Sequence, residues 1–251
     1  MQNHYWITSM LQTFAREQIN VVQVGCWLGM DTAEFAQVIK SNGGKLTVID
    51  WFRGNVGDND EAESTDSGFD GYSETDEIVE SRIDTFWKNI KSANCQDIID
   101  LKIGSSQDIL PTLDDNSIDV LFIDGGHEYS MVKQDLELGF PKVKVGGFLC
   151  GDDYSGDYHY NKIDKTSDED LEKDTIHAVG YGHDIGGNII PNVHAGVVKG
   201  VYEYFEGDVM VNLPQAKWLH WKKPPSPPYN LGAFKVGTRF DGEVFNPSTK
   251  S

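Results

Sequence analysis

Val21-Val22-Gln23-Val24-Gly25-Cys26-Trp27-Leu28-Gly29-Met30-Asp31-Thr32 is a β-branched apolar run that stops at a glycine, reaches a second glycine four residues on and opens into a helix-like stretch, Thr32 to Ile39. Strand, glycine turn and helix make a first βα unit. Glycines permit the tight turn and let main chain approach a ligand with no Cβ in the way. The next run, Lys45-Leu-Thr-Val-Ile-Asp50, repeats the strand signature and ends in an acid. From that position a carboxylate can accept hydrogen bonds from both hydroxyls of a ribose. The pair reads as a site for a nucleoside-containing cofactor, with Gly25, Cys26, Trp27, Gly29 and Thr32 on the loop and Asp50 and Trp51 at the second strand. The spacing is G-x-x-x-G, not G-x-G-x-x-G, so the glycine suited to crowding a pyrophosphate is missing and a cofactor without one fits better. An ordinary βα turn beside an exposed acid is the plain alternative.

Outward from this unit the alternation continues. A helical pattern, Tyr5 to Gln18, with Trp6, Met10, Leu11 and Phe14 on one side, precedes it and is expected to cover a sheet edge. After Asp50 the pattern breaks into an acidic Gly/Ser/Asp-rich segment, 54–77, read as a lid-like loop. Ile78–Ala93 is helical, with Ile78, Val79, Ile83, Phe86, Trp87 and Ile90 on one side. Strands are expected at Ile98–Ile103, Val120–Asp124 and Gly147–Asp152, with helical pieces at Ser106–Leu110 and Ser130–Val143 between them. Near-continuous apolar strands alternating with helices predict a doubly wound α/β fold, a mainly parallel Rossmann-like sheet with helices on both faces. Gly196–Phe205 reads as a further helix, and Val209–Leu213 with Trp218–Lys222 as a closing antiparallel strand pair. One domain is expected over residues 1–223, including an acceptor-side insertion at 154–192, followed by a proline-rich irregular tail, 224–251.

Composition narrows the partners. With 21 basic and 40 acidic residues the net charge is −19, a field that repels nucleic acid and anionic membrane surfaces. No run reaches the length of a membrane span and the N-terminus lacks a signal pattern, so a cytoplasmic protein is expected. Cys26, Cys95 and Cys150 form no C-x-x-C pair and predict neither disulfides nor a zinc site. A homo-oligomer is compatible with the sequence.

Two strands end in acids, Phe122-Ile123-Asp124-Gly125-Gly126-His127 and Leu149-Cys150-Gly151-Asp152-Asp153-Tyr154, with one helix between them. A right-handed crossover sets such strands side by side, so Asp124, Asp152 and Asp153 are expected to converge at the ligand crevice. Crowded carboxylates repel unless a cation or protons compensate, and an all-oxygen set selects Mg²⁺, Mn²⁺ or Ca²⁺. Capping acids on a solvated rim are the alternative. His127 is placed to take a proton from a substrate hydroxyl, or is a surface histidine. His4, His159, His177, His183, His194 and His220 have no comparable setting. Ser105 and Ser106, after the third strand, either contact a base edge or cap the next helix.

The run Val21–Thr32, the segment Val48-Ile-Asp-Trp-Phe-Arg-Gly54 and above all Ile118–His127 with Gly146–Tyr154 resemble class I S-adenosylmethionine-dependent methyltransferases, closest to the metal-dependent macrocin-type and other small-molecule sugar O-methyltransferases. The resemblance spans about residues 20–155, and His194-Ala-Gly-Val-Val-Lys-Gly-Val201 is similar to a helix start further along such chains. It implies S-adenosylmethionine bound by the loop set together with Asp50, Trp51, Ser105, Ser106 and Asp124. It implies Mg²⁺ on Asp124, Asp152 and Asp153, catalysis by His127 and Asp124, and a small-molecule or carbohydrate acceptor. Two departures stand out. Gln23 replaces the acid that many such enzymes place before the first glycine, and Asp124-Gly-Gly-His127 replaces a D-G-D pattern. Tyr158, His159 and Tyr160 are candidate sugar-stacking groups. Ser226-Pro-Pro-Tyr229 imitates an amino-methylating motif but sits in the tail, far from the strand end that motif requires. A nicotinamide-dependent oxidoreductase and a non-catalytic cofactor-binding module are the competing readings.

Overall fold

The structure, a computed structural model, describes residues 5–14, 18–54, 75–154, 171, 182–183, 189–190, 194–212 and 215–224. Its centre is a seven-stranded sheet built from β1 (Asn20–Val24), β2 (Lys45–Asp50), β3 (Ile99–Ile103), β4 (Ile118–Ile123), β5 (Val143–Gly151), β8 (Met210–Asn212) and β9 (Lys217–Trp221). The spatial order is β3-β2-β1-β4-β5-β9-β8. The first five strands are mutually parallel, and β9 and β8 close the sheet in antiparallel pairings. The chain winds outward from β1 through β2 to β3, then returns to the other side of β1 with β4. The crevice between the carboxyl ends of β1 and β4 is therefore the switch point where open α/β sheets take ligands.

Side chains of a strand alternate between faces, and here that alternation sorts the core in two. Val21, Val48, Val120, Phe122, Phe148 and Cys150 join Phe35 and Ile39 of α2 (Met30–Ser41) and Phe86 and Ile90 of α3 (Asp76–Ser92) on one face. Val22, Val24, Ile49, Leu121, Ile123 and Leu149 join Val132 and Leu136 of α5 (Tyr129–Gly139) and Val198, Val201 and Phe205 of α6 (Ala195–Phe205) on the other. Both faces are covered, which is why the strands read as unbroken apolar runs.

Several boundaries differ from expectation for physical reasons. Helix α1 is described over Tyr5–Phe14, residues 15–17 lie outside the described residues, and Gln18, with a left-handed φ of 63°, is not helical. Ile7, Met10 and Leu11 of α1 pack into the α2 face, so it covers a face and not an edge; the side chain of Phe14 lies outside the described residues. The acidic segment ends sooner than residue 77, because Asp76 and Glu77 form the first turn of α3, where carboxylates suit the helix dipole. Ile78 is 40% exposed, ahead of the buried stripe Arg82, Phe86 and Ile90. Helix α5 stops at Gly139 because Pro141 follows, in a 3-10 turn over Phe140–Lys142, and Val143 already belongs to β5. Of the segment 154–192, Tyr154 is a fully buried core residue, and Gly182–His183 (β6) pairs with Ile189–Ile190 (β7). Tyr158, His159, Tyr160 and the tail beyond Pro224 lie outside the described residues, as does most of the lid-like segment.

Candidate active site

Strand register sets out the site before any side chain is considered. Val24 pairs with Ile49 on one side and Ile123 on the other, Asp50 with Ile103, and Ile123 with Gly151. The residues one step further, Gly25, Asp124 and Asp152, with Asp50 and Ile103, therefore form a row along the carboxyl edge of the sheet, and Gly104 follows it. Gly25 sits so close to β4 that a Cβ on it would lie 1.7 Å from the Asp124 carbonyl oxygen, and its φ is 77°. No other residue fits there.

Asp50 and the loop are tied together. Its Oδ2 accepts from the backbone N–H groups of Cys26 at 2.8 Å and Trp27 at 3.2 Å, and its Oδ1 from that of Phe52 at 2.7 Å. A carboxylate has about four acceptor positions. Three are filled, so Asp50 retains acceptor room toward the cleft. Gln23, buried, donates Nε2–H to the Gly25 carbonyl at 3.0 Å. This explains the amide where an acid was expected: it braces the loop from behind, a task a carboxylate without a proton cannot perform.

A cleft of about 290 Å³ opens above this edge, near the ~300 Å³ lower end for small-molecule sites. Gly25, Trp27, Asp50, Trp51, Ser105, Ser106, Asp124 and His127 line it, as the sequence led one to expect. Three expected members do not. Cys26 turns its thiol into the core, where burial and then the Asp50 charge push it well above the ordinary thiol range. Thr32 is wholly buried in α2, and Gly29 starts that helix with Phe86 packed against it. Each supports the loop from below. Ser105 caps the short helix α4 (Ser106–Ile109), bonding Asp108 through both N–H and carboxylate, so the capping alternative holds for it even though it borders the cleft. Ser106 donates to the buried carboxyl of Asp135, which burial raises to about 6. Arg82, missed in the sequence reading, borders the cleft from α3, donates to the Phe52 carbonyl at 2.9 Å and lies over the Trp27 ring. Its signal was an arginine on an apolar stripe.

At the far end, Asp124, Asp152 and Asp153 do converge, together with groups the sequence did not single out. Asp152 accepts the Asp153 N–H at its Oδ1 and pairs with the ammonium of Lys217 at its Oδ2. Asp153 has a left-handed φ of 61°, uncommon for a non-glycine residue and frequent at functional sites. Its Oδ2 lies 3.2 Å from Nε2 of His127, whose ring lies 3.9 Å from that of His194. His194 is the residue preceding α6 and its N–H bonds the Asp153 carbonyl, so it does share the setting of His127, contrary to expectation. Burial, then the charges of Asp152 and Asp153, raise Asp124 well above the usual carboxylate range. Burial raises Asp152 to about 6 despite Lys217. Burial acts the same way on Asp153, but the hydrogen bond and charge of His127, with His194 and Lys217, outweigh it and hold the carboxyl below its ordinary value.

The trio fits a hard dication poorly. Both oxygens of Asp152 are engaged, and a cation on that carboxylate would stand beside the Lys217 ammonium, a repulsion on the order of several kcal/mol for close like charges near a protein surface. Among the described residues, the ligand atoms that lie within 4.8 Å of one another are those of His127, Asp153 and His194, a nitrogen-rich set unlike the all-oxygen set that Mg²⁺ prefers. The compensation assigned to a metal comes from Lys217 and the two histidines.

Residues 22–154, more than half of the chain, match the model of a family described as a methyltransferase domain. The chain belongs to that family. The uncharacterized protein R132 of Acanthamoeba polyphaga mimivirus is 40% identical over 75 residues, 29% of this chain and 33% of that protein, so the match spans a third of the relative's length. The O-methyltransferase NovP shares the methyltransferase fold with a TM-score of 0.54 at 16% identity, over 87% of this chain and 80% of NovP. Cofactor-bound Rv0187 from MTB gives 0.52 at 13% identity, over 89% and 81%. At such identities the likeness is one of fold. Among the described residues, no helix of this methyltransferase-family chain is long and apolar enough to cross a membrane.

Proposed function

We propose that this protein transfers a methyl group from S-adenosylmethionine to a hydroxyl of a sugar, glycan or small polar metabolite. The observation that carries this reading is the single cleft bordered by Asp50 and the glycine loop at one end and by Asp124 and His127 at the other. The family match and the O-methyltransferase fold neighbour support it. The site residues fit the cofactor. Asp50 would take one ribose hydroxyl, Trp51 and the main chain around Ser105 and Ser106 would border the base, and Trp27 with Gly25 would lie along the remainder. When bound, the cofactor supplies a methyl group on a sulfonium.

What remains for the protein is alignment and removal of one proton. With Nε2–H of His127 held by Asp153, Nδ1 is the nitrogen that accepts the proton of the acceptor hydroxyl, and the ionised Asp153 stabilises the imidazolium formed. Asp124, whose carboxyl burial and the neighbouring acids raise well above the ordinary range, borders the cleft beside His127. Magnesium assistance, implied by the resemblance, has no step in this reading, because Asp152 is already neutralised by Lys217.

Mass spectrometry of S-adenosylhomocysteine release against a panel of glycans and hydroxylated metabolites tests the reading. Turnover is expected with at least one hydroxyl acceptor, and His127→Ala is expected to lower it by about 10²–10⁴-fold. Release of no S-adenosylhomocysteine with any acceptor, alongside turnover of a nicotinamide cofactor, would overturn it.

A further inference from the structure

Residue 217 opens the strand β9, which runs antiparallel to β5. Gly151 pairs with Trp218, so the next step along the register sets Asp152 opposite Lys217. In a parallel sheet the carboxyl edge receives only the last residues of strands. The antiparallel β9 alone brings the first residue of a strand to this edge, and that residue is a lysine.

Lys217 is 3% exposed and Asp152 7% exposed, and the two form an ion pair. A buried charge lacking its partner is strongly unfavourable, so each requires the other. The other oxygen of Asp152 accepts the N–H of Asp153, whose left-handed backbone turns its carboxylate toward His127. A continuous series of contacts thus runs from the Lys217 ammonium through Asp152 and Asp153 to the imidazole assigned as base.

We propose that Lys217 is the resident cation of this carboxylate cluster, occupying the role of the divalent metal that the three acids would otherwise require and positioning His127 through Asp152 and Asp153. Methyl transfer then needs no divalent ion on Asp124, Asp152 and Asp153. That consequence rests on the function proposed above, whereas the exclusion of a hard dication from the three acids by Lys217 does not.

The test is a Mn²⁺ titration of the full chain followed by electron paramagnetic resonance, for the wild type, Lys217→Arg, Lys217→Met and Asp152→Asn. The wild type and Lys217→Arg are expected to leave Mn²⁺ free in solution, while Lys217→Met takes up one Mn²⁺ per chain. EDTA is expected to leave turnover of the wild type unchanged. The pH profile of Lys217→Met shifts, and Lys217→Arg restores it, a pattern that mere loss of packing would not produce. If Lys217→Met fails to fold, the double variant Lys217→Met/Asp152→Asn, with both charges removed, is expected to melt above either single variant. Stoichiometric Mn²⁺ uptake by the wild type that is lost in Asp152→Asn would overturn the proposal. So would a folded Lys217→Met that leaves Mn²⁺ free, or a double variant no more stable than the single ones. Calorimetric binding of S-adenosylhomocysteine, measured on the same samples, reads the cofactor assignment separately, so failure of one is not mistaken for failure of the other.

Discussion

Asp135 shows how a single residue couples the cleft to stability. It is buried beneath the cleft, takes a hydrogen bond from the Ser106 hydroxyl, and burial lifts its carboxyl to about 6 from an ordinary 3.8. A raised carboxyl favours the folded state in its protonated form. Its contribution is therefore intact below pH ~4 and is lost as pH rises through about 6, and a shift of about two units corresponds to about 3 kcal/mol. Asp135→Asn, which keeps an acceptor for Ser106, is expected to raise stability at pH 8 by 1–3 kcal/mol, on the order of that shift, and to change it little at pH 4. Thermal melts at the two pH values decide this, and equal effects at both would refute the burial argument. Gly25 is the opposite case, a residue fixed by space. Gly25→Ala places a methyl within 1.7 Å of the Asp124 carbonyl, so a loss of several kcal/mol with collapse of cofactor binding is expected in denaturant titration and calorimetry.

The elements of the parallel half were readable because β1, β2, β4 and β5 are covered on both faces and leave continuous apolar runs. Asp50, Asp124 and Asp152 could be placed because strand ends are punctuated by glycine and acid. His194 and Lys217 could not be found that way. His194 precedes α6, 41 positions after Asp153, and Lys217 opens an antiparallel strand, 65 positions after Asp152, and no short spacing records that approach. Gln23 looked anomalous for a different reason, since its partner is a main-chain carbonyl two residues on, that of Gly25, and not a ligand. Helix α3 tests the periodicity argument itself. Phe86, wholly buried, is expected to cost about 3–5 kcal/mol as Phe86→Ala. Ile78→Ser, on the exposed side, should stay within about 0.5 kcal/mol, and equal costs would mean that the buried stripe has been misassigned.

For the molecule as a whole, one sheet with a single switch point gathers the loop after β1, the acid after β2 and the acid and histidine after β4 around one cleft. The net charge of −19 surrounds that cleft with a field that repels polyanions. A ligand that binds only the folded state stabilises it by about 2.7 kcal/mol at a hundred times its dissociation constant. S-adenosylhomocysteine at saturation is therefore expected to raise the melting temperature, and Asp50→Ala is expected to abolish the rise. The most direct measurement is isothermal titration calorimetry of the full chain with S-adenosylhomocysteine and, in parallel, with NAD. Saturable one-to-one binding of S-adenosylhomocysteine, lost in Asp50→Ala, and no heat with NAD are expected. Binding of NAD without binding of S-adenosylhomocysteine would contradict the cofactor assignment.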